Sequence, residues 1–100
     1  MQKIKIVITD DHLLFKESLA CFFNQDGAFR VIGECSSGEE ALCMVETLQP
    51  EIIVMDMILP GINGAEAAAY IYKNFPAVRI IGLSMFRDLS ISQQFFKAGL

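Results

Sequence analysis

Ile52 to Gly64 reads Ile-Ile-Val-Met-Asp-Met-Ile-Leu-Pro-Gly-Ile-Asn-Gly, and it restricts the fold more than any other stretch of the chain. Four consecutive apolar residues leave no face for water. Ile52–Asp56 is therefore expected to be a strand buried on both sides, as in a parallel sheet covered by helices. Asp56 closes this strand just ahead of a Pro-Gly and Asn-Gly turn. Asp is depleted in strands and costly to bury unpaired, so Asp56 is expected to serve chemistry. The structural alternative is an Asp that caps the next turn through its own backbone.

The neighbouring segments alternate between two periods. Lys3-Ile4-Lys5-Ile6-Val7-Ile8 is a strand running from rim to core and ending at Thr9-Asp10-Asp11. From Asp11, Leu14, Phe15, Leu19, Phe22 and Phe23 recur at helical spacing up to Asp26-Gly27. Phe29–Cys35 reads as a second strand. Ser37-Gly38-Glu39-Glu40 is a capping box, opening a helix with Ala41, Leu42, Val45 and Leu48 on one face that stops before Pro50. After the turn, Ala65, Ala68, Ala69, Ile71 and Tyr72 mark a third helix ended by Phe75-Pro76. Arg79–Ser84 is strand four, and Asp88 or Ser90 opens a last helix through Gln93 to Ala98. The order βαβαβαβα with short connections argues a doubly wound α/β parallel sheet.

No apolar run approaches the roughly 20 residues that span a bilayer, and Met1-Gln2-Lys3-Ile4 is no signal peptide, so a soluble, cytoplasmic protein is expected. The formal charge is −4, with no Lys/Arg cluster, which argues against direct contact with DNA. Cys21, Cys35 and Cys43 are an odd number at unpatterned spacing and read as reduced core thiols.

In a parallel sheet the carboxyl ends of all strands share one edge, where ligands bind at the switch point of strand order. That edge gathers Asp10 and Asp11 from strand one, Asp56 from strand three and Ser84 from strand four. Crowded carboxylates raise one another's pKa unless a cation sits between them, and Mg²⁺ suits an all-oxygen set. No His or Cys is expected near enough to suggest zinc, and His12 is read as a surface residue at the loop-to-helix junction. A carboxylate facing a divalent ion can act as nucleophile toward phosphorus.

With Thr9-Asp10-Asp11-His12, Val54–Gly64 and Leu83-Ser84-Met85 in this order, the chain resembles the receiver domain of two-component response regulators. Asp11-His12-Leu13-Leu14-Phe15, Val31-Ile32-Gly33-Glu34, Gly38-Glu39-Glu40-Ala41-Leu42 and Phe75-Pro76 narrow the resemblance to NarL/FixJ-type (LuxR-type) receivers. It implies a CheY-like (flavodoxin-like) fold, with Asp56 as phosphoacceptor, Asp11 as a direct Mg²⁺ ligand, Asp10 acting mostly through water, and the Ile58 carbonyl completing the coordination. It implies Ser84 as the switch hydroxyl, with Ile58 and Phe86 flanking the acceptor, where their bulk would shield an acyl phosphate from water. A sensor histidine kinase would be the donor, and transcription the output.

The receiver pattern continues into a fifth strand carrying a Lys and an aromatic that act with the phosphoryl group. Residues 1–100 therefore read as a receiver with four of its five βα units, the DNA-binding output domain lying outside them. Lys97, Tyr70 and Tyr72 sit in the wrong elements to substitute. Strand four would then present an open apolar edge, Ile80-Ile81-Gly82-Leu83, for which pairing with a second copy is the expected remedy. The competing function is a phosphorylation-independent interaction or dimerisation module. A turnover phosphatase is disfavoured because Ile58 stands where a second acid is needed, and a flavodoxin-like cofactor binder because Asp10-Asp11 repels phosphate.

Overall fold

The β-branched runs form four strands, Ile4–Thr9 (β1), Phe29–Cys35 (β2), Ile52–Asp56 (β3) and Arg79–Leu83 (β4), separated by helices Leu13–Gln25 (α1), Gly38–Leu48 (α2) and Gly64–Asn74 (α3). The computed structural model describes residues 3–56 and 58–83. The expected last helix, Ser84 and Phe86 lie outside the described residues. All strand pairs are parallel, in the spatial order β2-β1-β3-β4. This is the flavodoxin-like order, with its switch point between β1 and β3.

Side chains alternate across the pleat, and the two faces of the sheet bury different helices. Val7, Ile53 and Met55 face Ala41 and Val45 of α2 and Ala65, Ala67, Ala68 and Ile71 of α3. Ile6, Ile8 and Val54 face the other way, against Leu19, Ala20 and Phe23 of α1. β3 is buried from Ile53 to Asp56, as its apolar run requires. Each Ile or Val so placed stabilises the fold by about 1.5–3 kcal/mol.

The helix faces correct the sequence reading in detail. In α1 the core stripe is Lys16, Leu19, Ala20 and Phe23, an i, i+3, i+4, i+7 set that includes a lysine. Leu14 and Phe22, expected in the core, are 78% and 67% exposed. In α3, Ala67 is buried where Ala69 was expected, and Tyr72 lies outside the core. Ala67 and Ala68 allow α3 to pack closely. Leu48 of α2 is likewise exposed, and only Cys35 of the three free cysteines is buried.

Ser37 caps α2 by accepting from the Glu40 amide at 3.2 Å. Its reciprocal is not the expected amide contact. The Glu40 carboxylate instead accepts from the Ser37 hydroxyl, also at 3.2 Å. Among the described residues β4 pairs with β3 alone, and Ile81 on it is half exposed.

Candidate functional site

Strand register brings the acidic residues together. Ile6, Val7, Ile8 and Thr9 of β1 lie opposite Ile52, Ile53, Val54 and Met55 of β3. One step further along both strands sets Asp10 beside Asp56, on the α1 side of the sheet by alternation. Neighbouring strands are about 4.8 Å apart, so two carboxylates at this position must face each other. Asp10 is 1% exposed and Asp56 4% exposed, whereas Asp11 is open to solvent.

One donor atom each from Asp10, Asp11, His12 and Asp56 falls within 4.8 Å of the others. Burial pushes the Asp56 carboxyl above its ordinary pKa; the Ile58 amide works against that, and the charges of Asp10 and Asp11 add to it. Three carboxylates with shared access and hard oxygen donors fit a small divalent cation, which would relieve their repulsion.

His12 departs from expectation. Its ring is largely exposed, yet Nδ1 lies 2.9 Å from Asp10 Oδ1, 3.2 Å from Asp11 Oδ1 and 3.9 Å from Asp56 Oδ2. The His12 amide also donates to Asp10 Oδ1, at 2.8 Å. The hydrogen bond to Asp10, followed by the charge of Asp11, raises the His12 pKa. His12 is exposed at the loop-to-helix junction, as expected, but the expectation that no nitrogen donor lies near the acids is overturned. Its sequence neighbourhood to Asp10 and Asp11 was the available signal. Helix periodicity said nothing of which way the ring turns, because His12 precedes the first turn of α1.

The loop after β3 is held from two sides. The Ile58 amide donates to Asp56 Oδ1 at 3.3 Å, and Ile58 itself is 47% exposed. This contact is the turn-capping role considered for Asp56, and it coexists with the acidic cluster. Further along, the Ile62 amide donates to Glu39 Oε1 at 2.6 Å, tying the loop to the first turn of α2. Asn63 then caps α3 by accepting from the Glu66 amide at 2.9 Å. On the opposite flank, buried Lys16 donates to Ser36 Oγ at 2.6 Å, joining α1 to the end of β2. Neither Glu39 nor Lys16 was singled out from sequence, since their partners are 23 and 20 residues away.

Residues 6–100 match the response regulator receiver domain. The chain belongs to this family. It is 36% identical over 97 residues to the transcriptional regulatory protein DegU of Brevibacillus brevis, covering 97% of this chain and 41% of that protein. It is 30% identical over 83 residues to the response regulator VraR of Staphylococcus aureus, covering 83% and 40%. The chain thus spans about two-fifths of the length of these curated relatives. The receiver domain of the response regulator NarL from Mycobacterium tuberculosis superposes with a TM-score of 0.94 at 28% identity, covering 99% of this chain and 80% of that one. A LuxR-family regulator from Aurantimonas superposes with a TM-score of 0.90, also at 28% identity, covering 98% and 70%. The receiver is of the NarL/LuxR type, and no helix among the described residues is long and apolar enough to cross a membrane.

Proposed function

We propose that this receiver accepts a phosphoryl group on Asp56 from the phosphohistidine of a sensor kinase, with Mg²⁺ held by Asp10, Asp11 and Asp56 and by the Ile58 carbonyl. The observation that carries this reading is the convergence of Asp56, buried at the end of β3, with two further carboxylates from the end of β1. In the transfer an Asp56 oxygen forms the new bond to phosphorus as the bond from phosphorus to the donor imidazole breaks. The leaving imidazole takes up a proton. Bound Mg²⁺ supplies neutralisation of charge on the phosphoryl oxygens.

The chain's own residues position the acceptor. The Ile58 amide orients the Asp56 carboxylate, and burial keeps its surroundings poor in water, which strengthens the electrostatics there. Ser84, following β4, is proposed to bond the transferred group and draw its loop inward. Ile58 and Phe86 are proposed to screen the product from hydrolysis. The protein would act as a signalling switch in the cytoplasm, with any DNA contact made by a separate output domain.

Incubation with acetyl phosphate and Mg²⁺ is expected to add one phosphoryl group to the wild-type chain and none to Asp56→Asn. Chelation of the metal is expected to abolish the addition. Equal modification of Asp56→Asn would rule out Asp56 as acceptor. A folded wild-type chain that takes up no phosphoryl group would favour the interaction-module reading.

A further inference from the structure

We propose that Lys16 is a positioning residue of the acidic centre: its buried ammonium, by holding Ser36, fixes Asp10 for the metal. The inference rests on the acceptor-centre reading above and goes beyond it, because that reading gives Lys16 no part.

Lys16 is 8% exposed and stands in the α1 stripe whose other members are Leu19, Ala20 and Phe23. Its ammonium forms no ion pair among the described residues. The neutral Ser36 hydroxyl accepts from it at 2.6 Å. Taking an ammonium out of water against a single hydroxyl is costly, and a hydrophobe of similar volume would suit such a stripe at least as well. The lysine therefore lowers stability rather than supplying it, and its contacts point to another role.

Those contacts close a circuit around Asp10. The Asp10 amide donates to the Cys35 carbonyl at 3.1 Å, and Ser36 is the next residue. Ser36 Oγ accepts from Lys16 Nζ, the Lys16 amide donates to the His12 carbonyl at 3.0 Å, and the His12 amide donates back to Asp10 Oδ1 at 2.8 Å. Asp10 is thus gripped at its main chain and at its carboxylate. The Cys35 thiol, hydrogen-bonded to the Thr9 hydroxyl at 3.1 Å, secures the same end of β2 to the strand that leads into Asp10. Three of the four donors in the circuit are main-chain amides. The Lys16–Ser36 bond is the link that a side-chain substitution opens without touching the acids. Binding groups must be held to within about 0.5 Å of the productive geometry, so opening this link loosens a ligand of the centre.

Loss of a nearby positive charge would by itself favour a bound cation. Weaker binding in a lysine variant therefore reports position and not charge.

The test is calorimetric titration with Mg²⁺ and metal-free thermal unfolding of Lys16→Met, Ser36→Ala and the double variant. Lys16→Met is expected to weaken Mg²⁺ binding about tenfold while melting at or above the wild-type temperature. Ser36→Ala keeps the charge and is expected to weaken binding by a similar factor, with the double variant no weaker than either single change. Unchanged or tighter Mg²⁺ binding in either folded single variant, or weakening that multiplies in the double variant, overturns the role of Lys16 and leaves the acceptor centre standing. A melting temperature of Lys16→Met well below wild type makes the lysine a structural tether and likewise overturns the proposal. Failure of folded wild type to bind Mg²⁺ overturns the acceptor centre itself.

Discussion

Replacing Gly38 by Ala is expected to impair both stability and phosphoryl transfer. Gly38 is buried at the start of α2. A Cβ at this position would run into the Ile62 carbonyl oxygen, with the carbonyl carbon and the Ile62 Cβ each 3.1 Å away. Relaxed carbon contacts are about 3.5–4.0 Å, so the loop would have to retreat by roughly 0.5–1 Å. The obstacle is main chain, which cannot swing aside as a side-chain tip can. Overpacking of this kind costs about 1–3 kcal/mol, offset by up to about 1 kcal/mol from better helix propensity. The net loss is about 1–2 kcal/mol, a fall in Tm of roughly 4–16 °C for a domain of this size. The displaced loop runs back to Ile58, whose amide orients Asp56. A shift approaching 1 Å near a reacting group slows it by up to about a hundredfold. Thermal unfolding followed by circular dichroism, and the rate of labelling by acetyl phosphate, read the two effects separately. A variant melting within about 1 °C of wild type would refute the close-approach reasoning. One that melts lower yet labels at the wild-type rate would refute the coupling of this loop to Asp56.

Three other outcomes follow from burial and contacts. Leu14→Asn is expected to leave stability within about 0.5 kcal/mol of wild type, whereas Ile71→Ala is expected to lose about 2–5 kcal/mol in urea unfolding. Burial is the chief cause that raises the Cys35 thiol pKa, with the Thr9 hydrogen bond opposing it. Because the folded value lies above the unfolded one, stability from this thiol is present below the unfolded pKa and is lost as pH rises through the folded value. Iodoacetamide at mildly alkaline pH is accordingly expected to modify Cys21 and Cys43 in the native protein, and Cys35 only on unfolding, as read by peptide mass mapping. Ile58→Asn is expected to shorten the lifetime of the phosphorylated form several-fold by admitting water beside Asp56; an unchanged decay rate would remove Ile58 from the shielding role.

The fold was legible because its strands are unambiguous. A doubly buried strand was the simplest account of Ile52–Asp56, and the alternation of period-two and helical segments set the parallel order. The pairing of Asp10 with Asp56 also followed, since parallel strands end together. What was not legible was the rotation of each helix about its axis. In α1 the apolar residues Leu14, Phe15, Leu19, Phe22 and Phe23 spread too widely to define one stripe. The true stripe contains Lys16, whose burial is offset by a hydrogen bond to Ser36 that no local pattern reveals. Similarly, Ala67 and Ala69 are indistinguishable by composition, and only the crossing of α3 over the sheet selects Ala67. For the site, residue types indicated the carboxylates. The direction of the His12 ring and the Glu39–Ile62 tie depend on tertiary placement.

The central claim is that the acids ending β1 and β3 form one metal-dependent centre whose nucleophile is Asp56. The most direct measurement is reductive trapping. An aspartyl phosphate treated with borohydride becomes homoserine, so peptide sequencing by mass spectrometry locates the acceptor at single-residue resolution. After incubation with acetyl phosphate and Mg²⁺, homoserine is expected at position 56 alone, and at no position when the metal is chelated. Homoserine at Asp10 or Asp11, or metal-independent trapping at Asp56, would contradict the account.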